Sequence, residues 1–223
     1  MASVPGFKTS VKLSGTPTTL TSAAMSTYST VANTYQVTNT SYQCFSSTAT
    51  LTFRDTGSTT AISTANIESI NYLFGAVTLS TALTGSTTFN GEVTVSGKYI
   101  PLTEITGAHQ YTLTQAATML DNTDFSSTGW TSRISGLKTV SLSLTKFEDN
   151  SSGTTESTIY DYFIDGSKFI VEIKPNTTGL KARGWFIVEN ENRTGGVNDI
   201  SDRSISFQLQ PELGYGKGFG WGS

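Results

Sequence analysis

The chain has almost none of the residues on which most protein chemistry is built. Its 223 residues include one cysteine, Cys44, and one histidine, His109. A lone cysteine forms no internal disulfide and nucleates no cysteine-based metal cluster, so Cys44 reads as a small apolar filler. A lone histidine excludes a His-pair metal site and leaves any Ser–His–Asp triad only His109 to use. Its neighbours Ala108 and Gln110 complete no nucleophile or base motif, and it reads as a polar residue at a strand end. Charge is scarce too: 14% of residues are Asp, Glu, Lys or Arg, against about 25% in an ordinary soluble domain. The net charge of −3 lacks the basic footprint of a free-standing nucleic-acid binder. No apolar run reaches the length of a transmembrane helix. The opening MASVPGFKTS has no apolar stretch behind a basic start, so no signal peptide is expected, and the chain is expected to be made in a cytoplasm and to stay soluble.

Ser and Thr stand where the charge is missing. Thr fits a pleated, half-exposed surface, and Ser, Asn and Gly supply turns, so the composition favours β-structure. The length suits one large or two small domains with a real core. The clearest segment is Ser132 to Asp149, SRISGLKTVSLSLTKFED. From Val140 onward, apolar Val140, Leu142 and Leu144 alternate with Thr139, Ser141, Ser143 and Thr145, the period of a strand with one buried and one polar face. The alternation outlasts the usual strand of about 5–6 residues, so this strand is expected to cross a wide sheet or to reach past its own subunit.

Other strands are read at Gly6–Gly15, Tyr35–Thr38, Thr48–Arg54, Glu92–Ile100, around Tyr111 and Leu113, at Lys168–Lys174 paired with Lys181–Glu189, and at Arg203–Gln210. Thr16–Asn33 reads as a loop or short helical turn. Asn66–Leu79 gives apolar residues around a break at Gly75 and a short strand at Val77 and Leu79. Glu156–Asp165, with Ile159, Tyr162 and Phe163 at helical spacing, an acid in the first turn and Gly166 as its stop, reads as one short helix lying against a sheet. The last residues, ELGYGKGFGWGS, alternate Gly with Tyr, Lys, Phe and Trp and are expected to stay mobile until something docks on them.

Catalytic or ligand-binding patterns are weak. Asp121, Asp124, Glu148, Asp149, Glu189 and Glu191 would be the stock for a carboxylate pair, and nothing in their spacing selects one. Asp121, Asn122 and Asp124 are oxygen donors in a turn without the spacing of a calcium loop. The glycines at 214, 216, 218 and 220 do not join a strand to a helix, which a phosphate-binding fingerprint requires. Asn39, Asn150, Asn176 and Asn192 begin Asn-x-Ser/Thr triplets, read as turn chemistry in the absence of a signal peptide. No metal, cofactor or enzymatic activity is expected.

Taken in order, VKLSGT (Val11–Thr16), VSGKYIPL (Val95–Leu102), LDNTDFSSTGWTSRISGLKTVSLSLTKFED (Leu120–Asp149) and KARGWFIVENENRTGGVNDISDRSISFQLQ (Lys181–Gln210) resemble the major tail proteins of bacteriophages, the subunits of the tail tube. The resemblance implies a mainly β fold: a tail-tube-type β-sandwich with one short flanking α-helix, plus an additional small β-module. It implies a discontinuous core at 1–34 and 94–211, a module at 35–93 and a Gly/aromatic tail at 212–223. It further implies a virion structural protein, made in the host cytoplasm and located in the tail, that polymerises into stacked hexameric rings and conducts the genome. Its partners would be other copies of itself, the tape measure, terminator and baseplate or tip proteins, and viral DNA passing without sequence-specific binding. No membrane insertion is implied. A mildly acidic, weakly charged wall suits such passage, because a basic one would hold phosphates back. Thr139, Ser141, Ser143 and Thr145 are candidates for the lumen or for a contact between subunits. Asp121, Asp124, Phe125, Trp130, Phe219 and Trp221 are candidates for contacts between stacked rings. The alternative reading is a β-sandwich carbohydrate-binding or adhesion module, with Trp130, Trp185 or Trp221 stacking on sugars.

Overall fold

A computed structural model describes residues 10–28, 31–56, 58, 60–86, 89–123, 131, 133–147, 154–175, 179–195, 201–211 and 218–222. In chain order the strands are β1 (Ser10–Ser14), β2 (Thr18–Thr27), β3 (Thr34–Val37), β4 (Thr52–Asp55), β5 (Ile67–Asn71), β6 (Ala76–Leu79), β7 (Val93–Tyr99), β8 (Leu102–Glu104), β9 (Ala108–Asp121), β10 (Arg133–Phe147), β11 (Phe169–Lys174), β12 (Lys181–Thr194), β13 (Asp202–Leu209) and β14 (Phe219–Gly222). The helices are α1 (Thr81–Thr84) and α2 (Thr154–Asp165). The fold is mainly β, and every strand pairing with a described register is antiparallel.

Two compact units share the chain: unit 1 is Met1–Ile105, Phe169–Trp185 and Pro211–Ser223, and unit 2 is Thr106–Lys168 and Phe186–Gln210. In unit 1 one set of strands runs in the order β8-β1-β11-β12, with β14 also on β12. The second sheet runs β4-β7-β2-β3-β6-β5. Residues 34–79 supply β3 to β6, and β2 and β7 complete their sheet from either side of that segment. The apolar cluster of this sheet draws on all parts: Leu20 and Met25 of β2, Val37, Phe45, Phe53, Val77 and Leu79, and Val93 and Val95 of β7.

Thr18–Thr27 is a strand and not the loop or helical turn expected from its Ser/Thr/Ala composition. Leu20 and Met25 are both buried, yet an odd separation puts two residues on opposite faces of a regular strand. A bulge between Leu20 and Ala23, with Ser22 at φ 45, brings them to one face. The Ser22 amide donates to Ser96 Oγ at 3.0 Å and holds the irregularity in place. A pattern broken by one residue has no period for the sequence to show.

A second cluster in unit 1 joins Cys44, Leu73 and Phe74 to Ile100, Ile170 and Trp185. Cys44 is indeed buried filler, its thiol pushed up to about 11, first by burial. Beside it lies a buried ion pair. Arg183, 2% exposed, donates from Nε and Nη2 to Glu172 Oε2 at 2.7 and 2.6 Å and from Nη1 to the Leu73 carbonyl at 2.7 Å. Its guanidinium also sits over the Phe74 ring at 5.3 Å. Burial pushes the Glu172 carboxyl up, but Arg183, with Lys12 and Lys181 behind it, outweighs burial and holds it below the usual carboxylate range.

The tail expected to be mobile contributes β14, which pairs with Lys181–Gly184 of β12. Its alternation explains why: in a strand every second residue shares a face, and here that face is glycine. A Cβ at Gly222 would lie 2.5 Å from the Phe74 ring, and one at Gly220 would lie 3.3 Å from it. Only a bare backbone fits so close. Phe219 and Trp221 occupy the other face and meet edge to face at 6.4 Å.

Candidate assembly surface

Unit 2 is organised by the hairpin of β9 and β10. The 14- and 15-residue strands run from Ala108 opposite Lys146 to Asp121 opposite Arg133. The inner half of β10 has neighbours on both sides, because Ser141–Phe147 also pairs with Gln208–Asp202 of β13. Here the alternation behaves as the sequence indicates: Val140, Leu142 and Leu144 are buried, while Thr139 and Ser143 are exposed and Ser141 and Thr145 half-buried. At the base of the hairpin His109 stacks on Phe147 at 4.2 Å between ring centroids, and its Nε2 lies 4.0 Å from Asp202.

Residues opposite one another in an antiparallel sheet share a face, so the register extends the polar side of β10 across four strands. Gln110, Thr145, Ser204 and Asn192 form one row, and Thr112, Ser143, Ser206 and Asn190 the next. A third row is Thr114, Ser141, Gln208 and Ile187. These three rows contain hydroxyls, amides and one isoleucine, and no charged side chain. Thr145 and Ser204 hydroxyls are 3.4 Å apart. Sequence reasoning found only the β10 column; the other columns needed the register.

The charge of this sheet is kept off those rows. Arg203, fully buried, places Nη2 2.9 Å from Glu191 Oε2, and Arg193 Nε donates to Glu191 Oε1 at 2.9 Å. Burial pushes the Glu191 carboxyl up, and the two guanidinium groups hold it lower than usual.

The outer half of the hairpin is different. Arg133–Thr139 has β9 as its one partner among the described residues, and β9 is the last strand on that side. Ile134 pairs with Leu120 and Ser135 with Met119, so apolar side chains stand on both faces of the ribbon. Leu137 lies in a bulge between Ser135 and Lys138. The Thr118 hydroxyl donates to the Leu137 carbonyl at 3.2 Å, and a Cβ at Gly136 would come within 2.7 Å of that hydroxyl. Exposures are 50% for Ile134, 53% for Leu120, 60% for Met119 and 81% for Leu137.

No protein-family profile matches the chain, and no curated protein does. Among solved structures, the tail of an empty gene transfer agent particle, refined helically with C6 symmetry, is similar with a TM-score of 0.47 at 16% identity, over 55% of this chain and 87% of that one. The virion of a native gene transfer agent gives 0.46 at 16% identity, over 55% and 89%. The SPP1 tail tube gives 0.39 at 18% identity, over 48% and 64%.

Helix α2 adds to the exposed surface. Ile159 is fully buried and Tyr162 half-buried, but Phe163, expected to point inward with them, is 42% exposed. Tyr160, Phe163 and Ile164 share one helix face and all are exposed. Of the proposed ring-stacking residues, Asp121 ends β9, where its carboxylate accepts from the Thr123 amide at 2.8 Å, and hydrogen bonding by the Thr123 side chain, then by that amide, lowers its pKa. Phe219 and Trp221 lie in β14 of unit 1, and Trp221 is 45% exposed. Asp124, Phe125 and Trp130 lie outside the described residues. Trp185, considered for stacking on sugars, is 5% exposed and belongs to the core. Among the described residues no three His, Cys, Asp or Glu side chains gather as a metal site, and no helix is long and apolar enough to cross a membrane.

Proposed function

We propose that this chain is a virion structural protein, a subunit that polymerises into stacked hexameric rings forming a phage tail tube through which the genome passes. The observation that carries the reading is the outer half of the β9–β10 hairpin. A two-stranded ribbon is marginally stable by itself in water, a bare strand edge invites another strand, and a soluble monomer rarely exposes clustered apolar residues without a use for them. The occupant that satisfies edge and side chains together is the same ribbon from a second copy. Repeated around a ring, such pairing closes every edge, which is how a barrel escapes aggregation.

The neutral rows of unit 2 then supply the wall. Thr139, Ser141, Ser143 and Thr145, with the hydroxyls and amides opposite them, face the lumen or a neighbouring subunit. DNA slides past a surface that offers weak hydrogen bonds and no fixed cation. Asp121 and Trp221, both exposed, are the contacts between stacked rings. The segment 35–93, with β2 and β7, decorates the tube, and the tape measure, terminator and baseplate or tip proteins are its other partners. No catalysis is assigned.

Negative-stain electron microscopy of the concentrated chain tests this. Rings or hollow tubes are the expected result. Monomers that bind immobilised glycans through Trp221 would replace it with the adhesion-module reading.

A further inference from the structure

Unit 1 contains a cavity of about 250 Å³ whose charged lining residues are mostly cations. Lys12 of β1, Lys174 of β11 and Lys181 and Arg183 of β12 line it, together with a single carboxylate, Glu172. In a chain of net charge −3 that is a local reversal of sign. Glu172 is already engaged, by Arg183 at 2.6 Å and by Lys12 at 3.5 Å. Lys181 is almost fully buried, and its Nζ donates to the neutral Gln43 Oε1 at 2.9 Å. Among the described residues no carboxylate lies within ion-pair distance of Lys174 or Lys181. Cys44, also on the wall, supplies no thiolate at neutral pH.

Cations gathered in one half-closed space repel one another and lose hydration, a cost that proteins ordinarily offset with a counter-charge. Burial and the neighbouring guanidinium hold the Lys181 ammonium below the ordinary lysine range. Thr40 and Ser41 also line the wall, residues whose hydroxyls are donors that suit an oxygen-rich ligand. We propose that this cavity is a binding site for a small oxyanion of the phosphate or sulfate class, held by Lys12, Lys174 and Lys181, with Arg183 fixed behind them by Glu172. The ligand completes the charge of the site, and the inference stands whether or not the chain forms tubes.

Thermal unfolding of the purified full chain, with inorganic phosphate as the probe and sodium chloride at matched ionic strength as the reference, tests it. Phosphate at roughly 100 times Kd is expected to raise Tm by about 5 °C or more, saturably, where sodium chloride does not. Lys181→Met is expected to lose the phosphate response, while its Tm without phosphate reports the balance between removing a buried cation and leaving Gln43 Oε1 unpaired. Lys174→Gln, at a more exposed position, is expected to weaken binding about tenfold, the loss of one charge-assisted bond; it decides the question if Lys181→Met does not fold. A phosphate effect equal to that of sodium chloride, or an undiminished phosphate response in Lys174→Gln, would overturn the proposal.

Discussion

Units 1 and 2 dispose of their apolar side chains differently. Among the described residues, eight of the eleven large apolar side chains left exposed belong to unit 2, although it is the smaller unit. Unit 1 has two sheets whose clusters close on themselves, and its C-terminal strand lies on the Phe74 ring. Unit 2 buries one side of a sheet and one residue of a helix face, then runs its longest strands out beyond their last neighbour. The difference teaches where the free energy is to be found. Unit 1 buries its apolar side chains within the chain, whereas unit 2 leaves apolar area exposed, which under the proposed function is covered by another copy. Substitutions in unit 1 should therefore be read in unfolding curves, and those on the hairpin in assembly.

The largest effect is expected at Arg183. Replacing it with Leu leaves Glu172 buried without its main partner, and losing one member of such a pair costs about 3–5 kcal/mol, measurable by urea denaturation. The same pair gives unit 1 an acid limit. The Glu172 carboxyl binds its proton less tightly when folded than when unfolded, so its stabilisation is present above the ordinary glutamate value of about 4.3 and is lost as pH falls through the lower folded value. A Glu172→Gln variant should show a shallower loss of stability in that acid range. Next comes Leu137→Ser. Each large apolar side chain buried on association is worth about 1.5–3 kcal/mol, so the critical concentration for assembly should rise roughly tenfold or more. Stability of the monomer should move by less than about 0.5 kcal/mol, as for other exposed positions. Sedimentation and unfolding on the same preparation separate the two, and equal losses in both would erase the contrast between the units. The smallest effect belongs to Gly136→Ala. The added Cβ presses on the Thr118 hydroxyl, at a cost of about 1 kcal/mol, and should appear as faster amide exchange around the bulge.

Much of the hairpin was legible in its own sequence. The period from Val140 to Leu144 set the faces of β10, and Leu137 and Phe147, apolar residues out of phase with it, proved to be exposed. Thr18–Thr27 was not legible, because its bulge removes the period that identifies a strand. The tail differs for another reason: glycine alternating with aromatics suggests mobility, yet the bare glycine face is what lets β14 lie on Phe74. Removing β14 would therefore uncover the Phe74 ring of unit 1. The three neutral rows of unit 2 depend on strand register, which a single sequence does not reveal beyond one strand at a time.

Hydrogen exchange on the hairpin is the most direct test of the claim that a second copy completes it. Amides of Ala116–Asp121 and Arg133–Thr139 should exchange readily in dilute monomer and become strongly protected in concentrated, assembled protein, while those of β7 and β11 in unit 1 stay protected in both. Assembled protein in which the outer hairpin amides exchange as fast as in the monomer would contradict it.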